Sequence, residues 1–155
     1  MNIRKLIKEE LENVLGTKPA VNVSIQFDFN CDKNTKIMVY KFILFISKKL
    51  DIRSQFTICL TKDRHKHGIP TLALFNIPES KIVVYSKNRN VADVLRSVAH
   101  ELVHKEQMDT GKFKFGDEIQ DIGGGIEDEA NAVAGSLVKS FSYSNGDIYD
   151  MNFGD

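Results

Sequence analysis

Apolar residues recur at helical spacing near the start of the chain, where Ile3, Leu6, Ile7, Leu11 and Val14 form one stripe over residues 2–15. Gly16 and Pro19 end that pattern. Val21 to Phe27 alternates apolar and polar positions, the period of a half-buried strand. The run from Thr35 to Leu50 is nearly all apolar, and its length predicts a helix rather than a strand, with Asp32 or Asn34 as its cap. Phe56 to Leu60 reads as a strand, and Thr71 to Phe75 and Lys81 to Tyr85 as two more joined by a hairpin-like connection. Val91, Val94, Leu95, Val98 and Leu102 then mark a helix running to about Met108, capped by Asn90, with Asp93 in the capping-box position. Gly123 to Gly125 precede a last helix from Ile126 to about Phe141. The tail from Ser142 to Asp155 is polar and acidic and reads as loose. The order helix, strand, helix, strands, helix, helix predicts a single α+β domain over residues 1–155, with a short, mostly antiparallel sheet covered on one side by helices.

Composition narrows the function classes. At 42% hydrophobic and 27% charged residues, the chain has the make-up of an ordinary globular protein. Lysine plus arginine equals aspartate plus glutamate, at 21 each, so there is no global attraction to phosphate and nucleic acid is not indicated as a partner. Charges interrupt the N-terminus too early for a signal peptide. The longest apolar stretch, Ile37 to Leu50, holds Lys41, Lys48 and Lys49 and is too short to span a bilayer, so a cytoplasmic location and no membrane partner are expected. Cys31 and Cys59 stand in no CxxC pair and near no histidine in the sequence, so free thiols are expected and a cysteine zinc site is not.

The chemistry concentrates in His100-Glu101-Leu102-Val103-His104, an HExxH motif inside the third predicted helix. Positions four apart lie on one helix face, so both imidazoles can reach one metal ion, and zinc accepts neutral histidine nitrogen. The glutamate beside the first ligand can lean over a water at that metal and act as general base. A catalytic zinc needs a third protein ligand and one open position. Among the downstream acids Asp109, Asp117, Glu118, Asp121, Glu127, Asp128 and Glu129, the last helix decides. At about 100° per residue, Glu127 shares a face with Ala130, Asn131, Ala134, Leu137, Val138 and Phe141, whereas Glu129 falls opposite. A carboxylate on an apolar stripe calls for a charged or metal partner, so Glu127 is the expected third ligand. Asn131, one turn on, is expected to face inward, where it either orients a ligand histidine or satisfies buried backbone. Ala130, Ala132, Ala134 and Gly135 are small enough to bring this helix close to the HExxH helix, and the glycines before it either free the backbone to turn beside the metal or form a plain flexible loop. His65 and His67 form a His-x-His in a basic loop, read as solvated, with a second metal or a donor as the alternative.

These residues carry a resemblance. The HExxH motif followed by Glu127-Asp128-Glu129-Ala130-Asn131-Ala132-Val133-Ala134 resembles the gluzincin pattern, and within it the minimal ImmA/IrrE-like metallopeptidases and small HExxH proteins of bacteriophages. Val133 stands where that family has an aromatic. The resemblance implies a zincin-like fold, zinc on His100, His104 and Glu127, a general base at Glu101, and an edge strand that pairs with extended protein or peptide substrate. Thr71 to Phe75 is the candidate edge, with an ordinary interior strand as the alternative.

The expected function is therefore zinc-dependent hydrolysis of peptide bonds. The alternative is a zinc-bound regulatory, interaction or phage-associated structural protein with little turnover. For the donor that a tetrahedral oxyanion needs, His67, Tyr85, Arg89, Tyr143 and Tyr149 are the candidates.

Overall fold

The computed structural model describes residues 21–117 and 124–155. The helix expected over residues 2–15, the Gly16–Pro19 stop, and Glu118, Asp121 and Gly123 lie outside the described residues. Within them the chain runs β1 (Val23–Phe27), α1 (Lys33–Lys49), β2 (Phe56–Thr61), β3 (Ala73–Asn76), β4 (Lys81–Tyr85), α2 (Val91–Asp109), α3 (Gly125–Ser142) and a 3-10 turn (Gly146–Tyr149). This is an α+β arrangement, and among the described residues no helix is long and apolar enough to cross a membrane.

Local chemistry explains the helix starts. Asp32 caps α1 by accepting from the Thr35 amide at 2.9 Å and the Thr35 hydroxyl at 2.7 Å. Lys48 and Lys49 end α1, where positive charge suits the helix dipole. Asn90 caps α2, its Oδ1 accepting from the Ala92 amide at 2.8 Å. Asp93 does not complete a capping box. Its carboxylate takes Arg89 Nε at 2.8 Å instead, and the buried Arg89 also reaches Ser97 Oγ at 2.7 Å.

The four strands lie in the order β1-β2-β4-β3, and the sheet is mixed. This corrects the mostly antiparallel expectation: β1 with β2 and β2 with β4 are parallel, and only β3 with β4 is antiparallel. The reason is the connection. A 17-residue helix separates β1 from β2, long enough to carry the chain back to the end from which it started. The β3–β4 hairpin forms as read, but it leaves β3 on the outer edge.

One face of the sheet carries the main core. Ile25, Ile58, Leu60, Ile82 and Val84 pack against Phe42, Ile43 and Ile46 of α1, Leu95, Val98 and Leu102 of α2, and Val138 and Phe141 of α3. The opposite face is covered by a smaller cluster, in which Ile69 from the β2–β3 loop sits on Cys59 and Val83. Both cysteines are buried free thiols. Ala130 and Ala134 are buried against the core, as small residues at a close helix contact would be. Ala132 is exposed and Gly135 has open space where a Cβ would stand, so neither serves that contact.

The tail is folded, not loose. Ile148 is fully buried and Phe153 nearly so. The Phe153 amide donates to the Arg89 carbonyl at 3.0 Å, and Asn88 donates to the Gly154 carbonyl at 2.7 Å. Lys62 Nζ closes the clasp on the carbonyls of Phe153 and Asp155, at 3.0 and 2.7 Å. Ile148 and Phe153 join the main core and Met151 packs against it, which is what docks this polar segment.

Candidate metal centre

His100 and His104 stand one turn apart on α2 with their Nε2 atoms 3.0 Å from each other. Glu127, in the first turn of α3, reaches both: Oε1 lies 2.7 Å from His104 Nε2 and Oε2 lies 3.2 Å from His100 Nε2. The structure thus brings together the three residues expected as ligands. Glu127 is half-buried, at 18% side-chain exposure, and points from α3 across to α2.

The orientation of His104 is set by residues that the sequence reading did not single out. Gln107 Nε2 donates to the Ile126 carbonyl and to Glu129 Oε1, both at 3.0 Å. Both partners only accept, so the amide has one orientation and Gln107 Oε1 faces His104 Nδ1 at 2.8 Å. Nδ1 therefore carries hydrogen, and in the neutral ring Nε2 turns a lone pair toward Glu127. Lys112 anchors the chain of bonds, donating to Glu129 Oε1 at 2.7 Å. Lys112 and then Gln107 hold the Glu129 carboxyl below its ordinary value, so it stays an acceptor. Glu129 is thus a positioning residue and not merely a solvated one. The readable signal was Gln107 itself, three residues after His104 and so on the same helix face.

The donor set fits a cation. The Nε2 atoms of both imidazoles and the two carboxylate oxygens of Glu127 converge at 2.7–3.2 Å, all of them atoms that can ligate a metal. Donors on one tetrahedral zinc, with bonds of about 2.0–2.1 Å, stand about 3.3 Å apart. Burial, then the nearby His104, holds the His100 pKa below its ordinary value and favours the neutral ring that a metal takes.

Two hollows flank the centre. One of about 260 Å³ is lined by Ala73, Phe75, Glu101, His104, Phe113 and Glu127. The other, about 290 Å³, is lined by Leu72, Ala73, Arg96, Ser97, Glu101 and Asn131. Ala73, His100 and Glu101 line both, so they form one trench along the edge strand β3. Burial pushes the Glu101 carboxyl up to about 7; Glu127 adds to the rise and His104 opposes it. Asn131 is exposed at the trench mouth, not core-facing, and its side chain hydrogen-bonds His100.

None of the five expected oxyanion donors lines these hollows. His67 is paired with Asp28, Arg64 lies over the Tyr85 ring, and Arg89 is spent on Asp93 and Ser97. Tyr143 and Tyr149 are exposed elsewhere. Arg96, one turn before His100 and not weighed from the sequence, is the cation lining the trench. Gly124 and Gly125 are not forced by backbone strain: Gly124 has an ordinary φ of −89°, and a Cβ at Gly125 would meet nothing. No protein-family model matches the chain, and no curated protein or solved structure does either.

Proposed function

We propose that the protein is a zinc-dependent peptidase whose metal would be held by His100, His104 and Glu127. The observation that supports this most is the convergence of those three donors in an open trench, with a half-buried carboxyl, Glu101, beside them. A structural zinc is closed by four protein ligands. Among the described residues the cluster offers three, which leaves a position for water.

The bound ion would supply Lewis acidity, acidifying a water and polarising the scissile carbonyl. The protein's own residues do the rest. Glu101 accepts the water's proton and passes it to the leaving amine, a task for which a pKa raised toward neutrality is suited. Gln107 holds the His104 ring in the tautomer that leaves Nε2 free. Arg96, which lines the trench, offers positive charge for developing negative charge or a substrate carboxylate.

The edge strand positions substrate. Tyr85 donates to the Leu72 carbonyl at 2.9 Å, and the register pairs Ala73 with Val84 and Phe75 with Ile82. Antiparallel alternation then turns the main-chain groups of Ala73 and Phe75 outward, toward the trench. An extended peptide can add to that edge and lie across the metal ligands.

The test is elemental analysis of reconstituted protein together with cleavage of an extended-peptide library. Glu127→Ala should lose about one zinc per chain relative to wild type and all cleavage. Wild-type protein that takes up no zinc overturns the reading. Zinc retained without cleavage, with Glu101→Gln indistinguishable from wild type, would make the chain a zinc-bound binding module.

A further inference from the structure

On the face of the sheet opposite the HExxH centre, three side chains distant in sequence meet. Asp28 follows β1, Cys59 lies in β2, and His67 comes from the loop between β2 and β3. The parallel register sets Gln26 beside Cys59 and Phe27 beside Leu60, so Asp28 falls beside Thr61 on the face that Cys59 occupies. The contacts agree: Thr61 Oγ1 donates to Asp28 Oδ2 at 2.7 Å. His67 Nε2 stands 2.8 Å from the same oxygen. Cys59 is 2% exposed, and among the described residues its thiol makes one weak hydrogen bond, to the Leu60 carbonyl at 3.9 Å. One ligand atom from each of Asp28, Cys59 and His67 lies within 4.8 Å of the others.

The loop that delivers His67 is built to hold it there. Gly68 adopts φ +64°, which a side chain would resist, and turns the chain directly after the histidine. Ile69 donates to the Arg64 carbonyl at 3.0 Å and is itself buried on Cys59 and Val83. Arg64 reaches the Thr71 carbonyl at 2.7 Å, tying the loop's exit to its start. Lys66, the competing cation, is 3.8 Å from Asp28 and largely exposed, so it can swing into water.

We propose that Asp28, Cys59 and His67 form a second metal site, specific for zinc or a similar borderline transition ion, with water or Thr61 at the fourth position. One sulfur, one nitrogen and one oxygen donor match zinc, whereas magnesium and calcium demand all-oxygen shells. Tetrahedral zinc sets its donors about 3.3–3.8 Å apart, inside the span these atoms cover. The ion would pin the β2–β3 loop to the sheet. That loop runs directly into Thr71 and Leu72 and then β3, the edge strand of the trench, so the site braces the strand from the far face. The proposal stands independently of any peptidase activity.

Cobalt(II) distinguishes the two centres, because His100, His104 and Glu127 hold no sulfur. Chelator-treated protein titrated with cobalt should show a near-ultraviolet thiolate-to-cobalt charge-transfer band. The band should persist in Glu127→Ala, and vanish in Cys59→Ser and in His67→Ala, whose side chain, 16% exposed, belongs to neither core cluster. Cys31→Ser should leave it unchanged. A wild-type protein that binds cobalt without this band overturns the proposal, as does a band lost in Cys31→Ser but kept in Cys59→Ser. A band unaffected by His67→Ala would also overturn the ligand set.

Discussion

Gln107 shows how much one uncharged side chain can decide. It makes hydrogen bonds to His104, Ile126 and Glu129 and is fully buried. Gln107→Ala should weaken zinc binding at His104 by about 10–100-fold, as loss of a ligand's hydrogen-bond partner typically does. Competition against a chromophoric chelator reads this directly, and unchanged affinity would remove Gln107 from the site. Glu101 carries a separate consequence. Its carboxyl titrates near 7 in the folded, metal-free protein, against an ordinary value of about 4.3 in an unfolded chain. The folded state therefore holds the proton more tightly. This stability is fully present below about pH 4 and is lost as pH rises through about 7. Glu101→Gln mimics the protonated form, so its advantage over wild type in denaturant melts with chelator present should grow from pH 4 to pH 8. Parallel stability curves would sink this account. With zinc restored, the cation's attraction for the carboxylate should shrink the difference.

At the scale of elements, strand β3 and helices α2 and α3 divide the labour. The helices bring donors together across their packed face, and β3 offers an edge beside them that no strand pairs among the described residues. Proline at an outward-facing edge position removes a donor without breaking the ladder. Ala73→Pro should therefore keep zinc content and thermal midpoint near wild type while lowering kcat/KM on extended peptides by at least about tenfold, the worth of one lost hydrogen bond in the productive complex. If kcat/KM holds while the fold holds, substrate does not pair with this edge. The connection between α1 and β2 is braced for the same geometry. Buried Lys105 on α2 reaches Ser54 Oγ at 2.6 Å and Asp109 at 3.2 Å, and Asp109 accepts from the Arg53 amide at 2.8 Å. These bonds fix the end of the helix that carries His100 and His104.

At the scale of the molecule, the C-terminal tail belongs to the fold. It closes over the start of α2 through Ile148 and Phe153 and is clasped by Lys62. Ile148→Ala should cost about 2–5 kcal/mol of unfolding free energy, the range for emptying a fully buried aliphatic site. A change below about 0.5 kcal/mol, typical of a surface position, would restore the reading of a loose tail. Zinc held at the proposed site would raise the thermal midpoint in a concentration-dependent way, because the unfolded chain lacks the assembled ligands.

The elements and the meeting of two histidines were local matters, and the sequence determined them. Hydrophobic period and capping residues located α1, β2, β4, α2 and α3 to within a few residues, since each signal repeats within a turn or a pleat. HExxH spacing placed both imidazoles on one helix face, and the apolar stripe of the last helix pointed Glu127 the same way. Only the tertiary structure decided strand direction, the bond chain through Gln107, Glu129 and Lys112, the docking of the tail, and the meeting of Asp28, Cys59 and His67. Each of these depends on which surfaces bury one another across tens of residues. No period along the chain encodes that choice; it follows from how a long connecting helix returns the chain and how the loops then close over the sheet.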